Sequence, residues 1–255
     1  MFGLWIWTPP ERGKRQKAVE EGELLVLHTR FYCVRVLRGP RTPEAVARRR
    51  TAAAARRLQR AGVRRAVLPE EFPYGELLAR RQIEPADTLA LRRELAAEQT
   101  RRQMEERGVP GGRVAVAADA MSAELVRTVT ELALRSRYVL LDVPYGGTEL
   151  AGRLRREYGV ALQLGPDPAQ LEAAEALVLF APRTDLRRNN PVVVEAYRGT
   201  RAPLPPLLLP PALEEQLPRG CCRSQLLAAL RESGALRPGQ IAPGRGGMAG
   251  NGPGA

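Results

Sequence analysis

The sequence predicts an α/β protein: a three-layer, Rossmann-like, mostly parallel sheet with an N-terminal β extension and a disordered glycine-rich C-terminal tail. The main observation is that short apolar runs alternate with stretches of helical spacing across residues 113–165. This alternation indicates parallel strands joined by right-handed helical crossovers. A second observation is that an earlier apolar run, at residues 65–68, also lies between two helical stretches. With 255 residues, the chain is long enough to bury a core in one large domain or in two small ones.

The first 38 residues are predicted to form the β extension. Apolar runs at 2–7, 24–27 and 31–37 indicate strands, and the charged segment 9–22 indicates a loop between the first two. The chain's only histidine, His28, lies between the second and third of these strands. We expect His28 to be an ordinary structural or surface residue.

A first clear helix is predicted after this region. Thr42 is expected to cap it, Pro43 to occupy its first helical position, and Gly62 to follow its end. Its apolar positions form a thin stripe, and its arginines lie on the other side as a solvated face. The stripe consists of Ala47, Ala54, Leu58 and Ala61, and the arginines are Arg49, Arg56 and Arg60.

The remaining elements follow from the same periodicities. Helices are predicted at 72–79, 86–107, 122–135, 147–157 and 224–233, with a short one after Asp167. Strands are predicted at 65–68, 114–117, 138–141, 160–164, 176–180 and 191–197. The proline-rich segment 202–211 is predicted to be an edge strand or packed connector, with a polyproline ligand as the alternative. The predicted domains are an N-terminal α/β region at 1–108, a Rossmann-like region at 109–242 and a disordered tail at 243–255.

The tripeptide Pro-Tyr-Gly occurs twice, at residues 73–75 and 144–146, each time after a predicted strand. Two such units could be the halves of a pseudo-repeat. Turn chemistry that converged independently explains so short a match equally well, and we favour convergence.

The charge and composition of the chain indicate whether it would bind nucleic acid. The formal net charge is +12, and only two of the 40 basic residues are lysines. The excess of arginine fits a GC-rich coding sequence, but the positive charge is real and would attract nucleic acid weakly and non-specifically. The arginine pairs on the predicted helices are interspersed with glutamates, which indicates a solvated surface with i, i+4 pairs. Single-strand nucleic-acid binders interleave aromatic and basic residues, whereas aromatics make up 5% of this chain and mostly lie away from the arginine pairs.

Several chemistries are excluded by the residue types. Cys33, Cys221 and Cys222 have the spacing of neither a disulfide framework nor a metal site. A single histidine rules out a multi-histidine zinc site, and no Walker loop, metalloprotease helix or nucleophile elbow occurs. The apolar run at 2–7 lacks the basic flank and the length of a signal peptide, and no run reaches the length of a membrane span. We therefore expect a soluble cytoplasmic protein without a membrane partner, predict no metal and no cofactor, and lean against an enzyme.

The turn after the strand at 114–117 is where a dinucleotide-binding fold carries its glycine fingerprint. This turn and the helix after it contain no glycine, although the backbone needs glycines there to approach the pyrophosphate. Asp142 lies 23 residues after Asp119, where an acid that binds a ribose hydroxyl often occurs. We expect Ser122 to be a helix N-cap and Asp119 a turn residue.

The next turn, at residues 141–148, places an acid at the end of a strand and a glycine at a bend. With Asp142 and Gly146 in these places, it resembles the first motif of S-adenosylmethionine-dependent methyltransferases. In that motif, three alternating glycines bend the loop around the cofactor, whereas Pro144 and Thr148 occupy the other two glycine positions here. The family also has an acid at the end of the following strand, where this chain reads Leu-Gln-Leu-Gly. The resemblance therefore implies a degenerate, methyltransferase-like turn.

Three functions stay open. The first is a non-catalytic Rossmann-like binding or regulatory module with a protein partner. The second is an enzyme or binder of a small anionic or nucleotide-like ligand, held by backbone N–H groups at a helix N-terminus, for which Gly147→Asp is expected to abolish binding while the fold stays nearly intact. The third is arginine-mediated association with nucleic acid. The tentative ligand-binding residues are Asp119, Asp142, Gly146, Gly147 and Thr148, with no catalytic and no metal-ligating residue.

Overall fold

The structure is a computed structural model that describes residues 1–11 and 16–244. The strands are β1 (Phe2–Thr8), β2 (Val19–Val26), β3 (Thr29–Leu37), β4 (Arg65–Val67), β5 (Glu84–Pro85), β6 (Arg113–Ala117), β7 (Tyr138–Asp142), β8 (Leu162–Leu164), β9 (Ala176–Leu179), β10 (Val192–Glu195), β11 (Leu207–Leu208) and β12 (Ala242–Pro243). The helices are α1 (Glu44–Arg60), α2 (Gly75–Ala79), α3 (Leu89–Glu106), α4 (Ala123–Ala133), α5 (Gly147–Tyr158), α6 (Pro168–Glu172), α7 (Pro211–Glu214) and α8 (Arg223–Glu232). Within these described ranges, no helix is both long and apolar enough to cross a bilayer.

The chain divides into two compact units. The first unit consists of residues 1–88 and 209–241, and the second consists of residues 89–208 with the described residues from Ala242 onwards. Both units are therefore discontinuous in sequence. The predicted boundary at residue 108 differs from this division because α3 belongs to the second unit. Ala96, Ala97 and Met104 of α3 are buried in the same core cluster as the strands of that unit.

The first unit contains a five-stranded sheet in the order β2-β3-β1-β4-β5. Strand β2 pairs antiparallel with β3, and the other pairs are parallel. The predicted β extension is therefore part of this sheet. The turn between β2 and β3 is formed by Leu27 and His28, both with positive φ angles (45° and 69°), and His28 is exposed.

Helix α1 covers one face of the first sheet. Its buried side includes Ala47, Ala54 and Leu58, as the apolar stripe predicts. Arg49, Arg56 and Arg60 are exposed, as predicted for a solvated face. The predicted cap is wrong by one residue. Pro43 is the N-cap, and the Thr42 hydroxyl instead accepts a hydrogen bond from the Gly39 N–H (2.9 Å), so the cap of α1 has no side-chain hydrogen bond.

The second unit contains a five-stranded, all-parallel sheet in the order β10-β9-β6-β7-β8. Numbered within the unit from β6, this order is 5-4-1-2-3, the arrangement of five Rossmann strands read from the opposite edge. Apolar clusters cover both faces of the sheet. The three-layer, mostly parallel α/β prediction is thus confirmed.

The two Pro-Tyr-Gly turns make different contacts. Tyr74 is 2% exposed, and its hydroxyl donates a hydrogen bond to Glu44 (3.0 Å). Tyr145 is 85% exposed. This difference favours converged turn chemistry over a repeat.

The described chain continues past the predicted start of the tail at residue 243. Pro243, placed at the start of the disordered tail, is buried in β12, and β12 pairs antiparallel with β11. The pairing gives Leu207 a buried position in the proline-rich segment, in agreement with a packed connector. The rest of the predicted tail, residues 245–255, lies outside the described residues.

Candidate functional site

The candidate site lies at the carboxyl edge of the second sheet. The strand order reverses at β6, which has β7 on one side and β9 on the other. In open parallel sheets, ligands bind in the crevice outside the carboxyl ends of the strands at such a reversal. The segments after β6, β7 and β9 therefore define the site.

The two turns predicted to carry the site lie side by side. Asp119 is exposed in the turn after β6, and Asp142 is the last residue of β7. A Cβ atom on Gly146 would lie 3.4 Å from Cε of Met121, which belongs to the turn after β6. The side chain of Met121 thus occupies the space next to the glycine turn.

Gly146 forms the start of α5. It is the N-cap, with a left-handed φ of 80°, and no side chain caps the helix. Thr148, one of the tentative ligand-binding residues, is the second residue of α5 and is exposed. The left-handed φ by itself explains why glycine occupies this position, so the glycine is not evidence for a ligand.

Gly147 is a packing residue. It is buried, and a Cβ atom there would lie 3.2 Å from Cγ1 of Val143 and 3.4 Å from Cδ2 of Leu164. From this packing we expect Gly147→Asp to destabilise the fold, which differs from the expectation drawn from the sequence. The glycine allows α5 to approach the sheet closely.

Asp142 accepts a hydrogen bond from an arginine that no sequence pattern indicates. Arg183, four residues beyond β9, donates from Nη1 to Oδ2 of Asp142. The same guanidinium donates to both carboxylate oxygens of Asp185, at 2.8 and 2.7 Å. We call these three residues the ion cluster. It joins the segment after β9 to the end of β7, with β6 lying between the two strands.

The ion cluster is electrostatically strong. The hydrogen bonds from Arg183 lower the pKa of Asp185 from 3.8 to about 2. The pKa of Arg183 is raised by its hydrogen bonds to Asp185 and Asp142, against the opposing effect of burial. The Arg183 side chain is 24% exposed, so its bonds are only partly screened by water.

We expect the Asp185 carboxyl to titrate at about pH 2 in the wild type, and close to its ordinary value of 3.8 in Arg183→Gln. Because the folded-state pKa is lowered, this ion pair stabilises the fold above about pH 4. Its contribution is lost as the pH falls towards 2. Carboxyl carbon NMR measures the midpoint. Arg153→Gln makes an equal charge change on α5 and should leave the Asp185 midpoint unchanged. If the midpoint stays near 2 in Arg183→Gln, Arg183 does not cause the lowered pKa of Asp185.

Other reactive groups do not converge on this edge. Burial raises the pKa of Cys33, and burial followed by the neighbouring Cys222 raises that of Cys221 to about 11. These groups are thiols at neutral pH and hence weak nucleophiles. Over residues 1–11 and 16–244, no group of three histidine, cysteine, aspartate or glutamate side chains is placed to hold a metal ion.

No protein-family model matches the chain, and a search of curated proteins finds no match. Similar solved structures include L-tryptophan dehydrogenase from Nostoc punctiforme, with 13% identity, a TM-score of 0.31 and coverage of 66% of this chain and 52% of that one. A D-isomer specific 2-hydroxyacid dehydrogenase from Lactobacillus delbrueckii ssp. bulgaricus, in its NAD-complexed form, has 9% identity, a TM-score of 0.25 and coverage of 52% and 46%. A D-lactate dehydrogenase from Treponema pallidum has 13% identity, a TM-score of 0.28 and coverage of 59% and 49%.

The chain spans about half the length of these solved structures. The class of the second unit is defined by its own strand order: it is a Rossmann-like α/β unit.

Proposed function

We propose that this chain is a non-catalytic binding or regulatory module of Rossmann-like fold. The observation that carries the proposal is the ion cluster. In dinucleotide-binding folds, an acid near this point accepts hydrogen bonds from a ribose. Here Asp142 already accepts a charge-assisted hydrogen bond from Arg183, and a neutral ribose hydroxyl is a weaker donor than a guanidinium.

The phosphate half of a dinucleotide site is also missing. A pyrophosphate needs glycines in the first turn so that the backbone N–H groups can approach it. In this chain the turn carries a side chain at every position, and Met121 lies against Gly146. Both halves of the usual cofactor crevice are therefore filled by the chain's own side chains.

The remaining groups support a non-catalytic role. His28 is exposed at a hairpin turn of the first unit. The segments after β6, β7 and β9, which define the candidate site, contain no histidine or cysteine. Both carboxylates of the ion cluster accept hydrogen bonds from Arg183, and the lowered pKa of Asp185 keeps that carboxyl ionised at neutral pH. A general acid or base needs a pKa near the working pH. The ion cluster suits a fixed structural contact better than proton transfer.

Thermal-shift measurements at constant salt with NAD, NADP, S-adenosylmethionine and ADP test this proposal. A ligand at about 100 times its Kd adds roughly 2.7 kcal/mol of stability, which raises the Tm of a chain of this size by several degrees. We expect none of the four compounds to cause such a shift. A shift of this size that is lost in Asp142→Asn but kept in Asp185→Asn would refute the proposal, because it would place a nucleotide on the ribose-binding acid.

A further inference from the structure

The first unit has a sheet reversal of its own. Strand β1 lies between β3 and β4, so the carboxyl ends of these strands flank a second position where parallel sheets bind ligands. A cleft of about 440 Å³ lies at this edge. Its lining includes Leu37, the last residue of β3, and Val46 in the first turn of α1. We call it the β3 cleft.

The lining of the β3 cleft is apolar and cationic. Its apolar part comes from Leu37, Val46 and three prolines, and its charged side chains are Arg41 and Arg50. Among the residues that the structure describes, no acidic side chain lines it. Ligand pockets commonly combine mostly apolar walls with a few polar groups that fix the orientation of the ligand. This lining therefore matches an anion that carries an apolar body.

A third arginine, Arg38, lies in the chain between the lining residues Leu37 and Gly39. The guanidinium carbon of Arg38 is 4.9 Å from the ring centroid of Trp7 and 5.3 Å from that of Tyr74. Trp7 in turn stacks on Phe72 at 5.7 Å, with 14° between the ring planes. Aromatic rings cover the faces of a guanidinium and leave its in-plane N–H donors for a carboxylate or phosphate. Arg38 is thus oriented without an acid.

These three arginines lie close together along the chain or on the cleft lining, and no acidic side chain neutralises them within the part of the chain that the structure describes. Among the residues that the structure describes, none of Arg38, Arg41 and Arg50 forms an ion pair; Arg50 donates to the carbonyl of Leu37 at 2.6 Å. By contrast, Arg48, on the same helix, pairs with Glu76. Glu44, in the first turn of α1, accepts a hydrogen bond from Tyr74. The edge therefore carries an excess of positive charge with donors to spare.

We propose that this edge of the first sheet binds a small organic anion, a carboxylate or phosphate on an apolar body. The proline and aliphatic walls of the β3 cleft hold the body, and the arginines bind the anionic group. This assignment goes beyond the proposed function and is independent of the second unit, because none of its residues belongs to the second sheet.

The chain contains a reporter for this binding. Its only two tryptophans, Trp5 and Trp7, are in ring contact with each other at 5.5 Å, and Trp7 carries Arg38 on its face. We expect benzoate and phenyl phosphate to change the tryptophan fluorescence of the full chain saturably, and benzamide, a neutral analogue of benzoate, to cause no saturable change. The ratio of the two affinities identifies the preferred anion. Isothermal titration calorimetry with the same probes detects binding that leaves fluorescence unchanged.

Variants separate a site from a bulk charge effect. Arg41→Gln should weaken benzoate or phenyl phosphate binding by about tenfold, the loss expected for one charge-assisted hydrogen bond. Arg60→Gln removes the same charge from the exposed face of α1 and should leave the affinity unchanged. The proposal is overturned if neither anion gives heat or a fluorescence change, if benzamide binds as well as benzoate, or if the two variants lose affinity equally.

Discussion

Replacing Trp5 with alanine is expected to destabilise the first unit by about 3–5 kcal/mol, the range for truncating a buried aromatic residue. Trp5 is fully buried in β1. Its ring contacts Trp7 at 5.5 Å and Phe72 at 5.1 Å, both in edge-to-face geometry. The alanine variant leaves a cavity beneath the aromatic rings that orient Arg38. We therefore expect it also to abolish any binding at the β3 cleft.

Trp5→Phe is the matched variant. In the part of the chain that the structure describes, Nε1 of Trp5 is buried without a hydrogen-bond partner. Phenylalanine removes that unsatisfied donor and keeps an aromatic ring, so the expected loss is only about 1–2 kcal/mol. Urea unfolding followed by far-UV circular dichroism gives both values. Equal losses for the two variants would contradict this expectation. They would show that removing the indole N–H and keeping an aromatic ring do not reduce the loss of stability.

Local signals in the sequence were sufficient for the elements of the second unit. The apolar run at 114–117 lies within β6, Arg113–Ala117, and the helix predicted at 122–135 contains α4, Ala123–Ala133. Ser122 caps α4 as predicted, accepting a hydrogen bond from the Leu125 N–H at 3.2 Å. Such signals depend on neighbours within a few residues, so periodicity and capping chemistry reveal them.

The candidate sites depend on contacts that span the sequence. Arg183 lies 41 residues from Asp142, and only the pairing of β9 with β6 brings them together. Arg38 reaches Trp7 because β3 pairs with β1 rather than only with its sequence neighbour β2. Strand order was not readable from the sequence, because any parallel arrangement buries the same apolar runs. The residues on which the two proposals depend were therefore the hardest to find from the sequence.

The two sheet edges differ in how their charge is balanced. At the second sheet, the guanidinium of Arg183 donates hydrogen bonds to two carboxylates, whose combined negative charge exceeds its own positive charge, so the ion cluster does not attract an external anion. At the first sheet, Arg38 is held by aromatic faces, which orient it without neutralising it. The arginine at the edge of the second sheet is therefore balanced by acids, whereas the arginine at the edge of the first sheet is not.

Gly147→Asp is expected to destabilise the second unit by about 3–5 kcal/mol, combining overpacking with burial of an unpaired charge. The new carboxylate would start from a Cβ position 3.2 Å from Val143 and 3.4 Å from Leu164, both apolar side chains. Neither neighbour can donate a hydrogen bond to it. The loss should be smaller at low pH, where the carboxyl is protonated, than at neutral pH.

Two controls separate these causes. Gly147→Ala adds the same Cβ without the charge, and its gain in helix propensity of about 0.5–1 kcal/mol offsets the tight contact, so we expect little net change. Thr148→Asp places the same carboxylate at the next residue, an exposed position in the first turn of α5, where the helix dipole favours it by about 0.3–1 kcal/mol.

Urea unfolding of the three variants compares their free energies of unfolding. If Gly147→Asp proved as stable as Thr148→Asp, Gly147 would not be a packing residue, and the anion-binding interpretation of this turn would regain its basis. If the stabilities differ as expected, a loss of ligand binding in Gly147→Asp would reflect unfolding and would say nothing about a site.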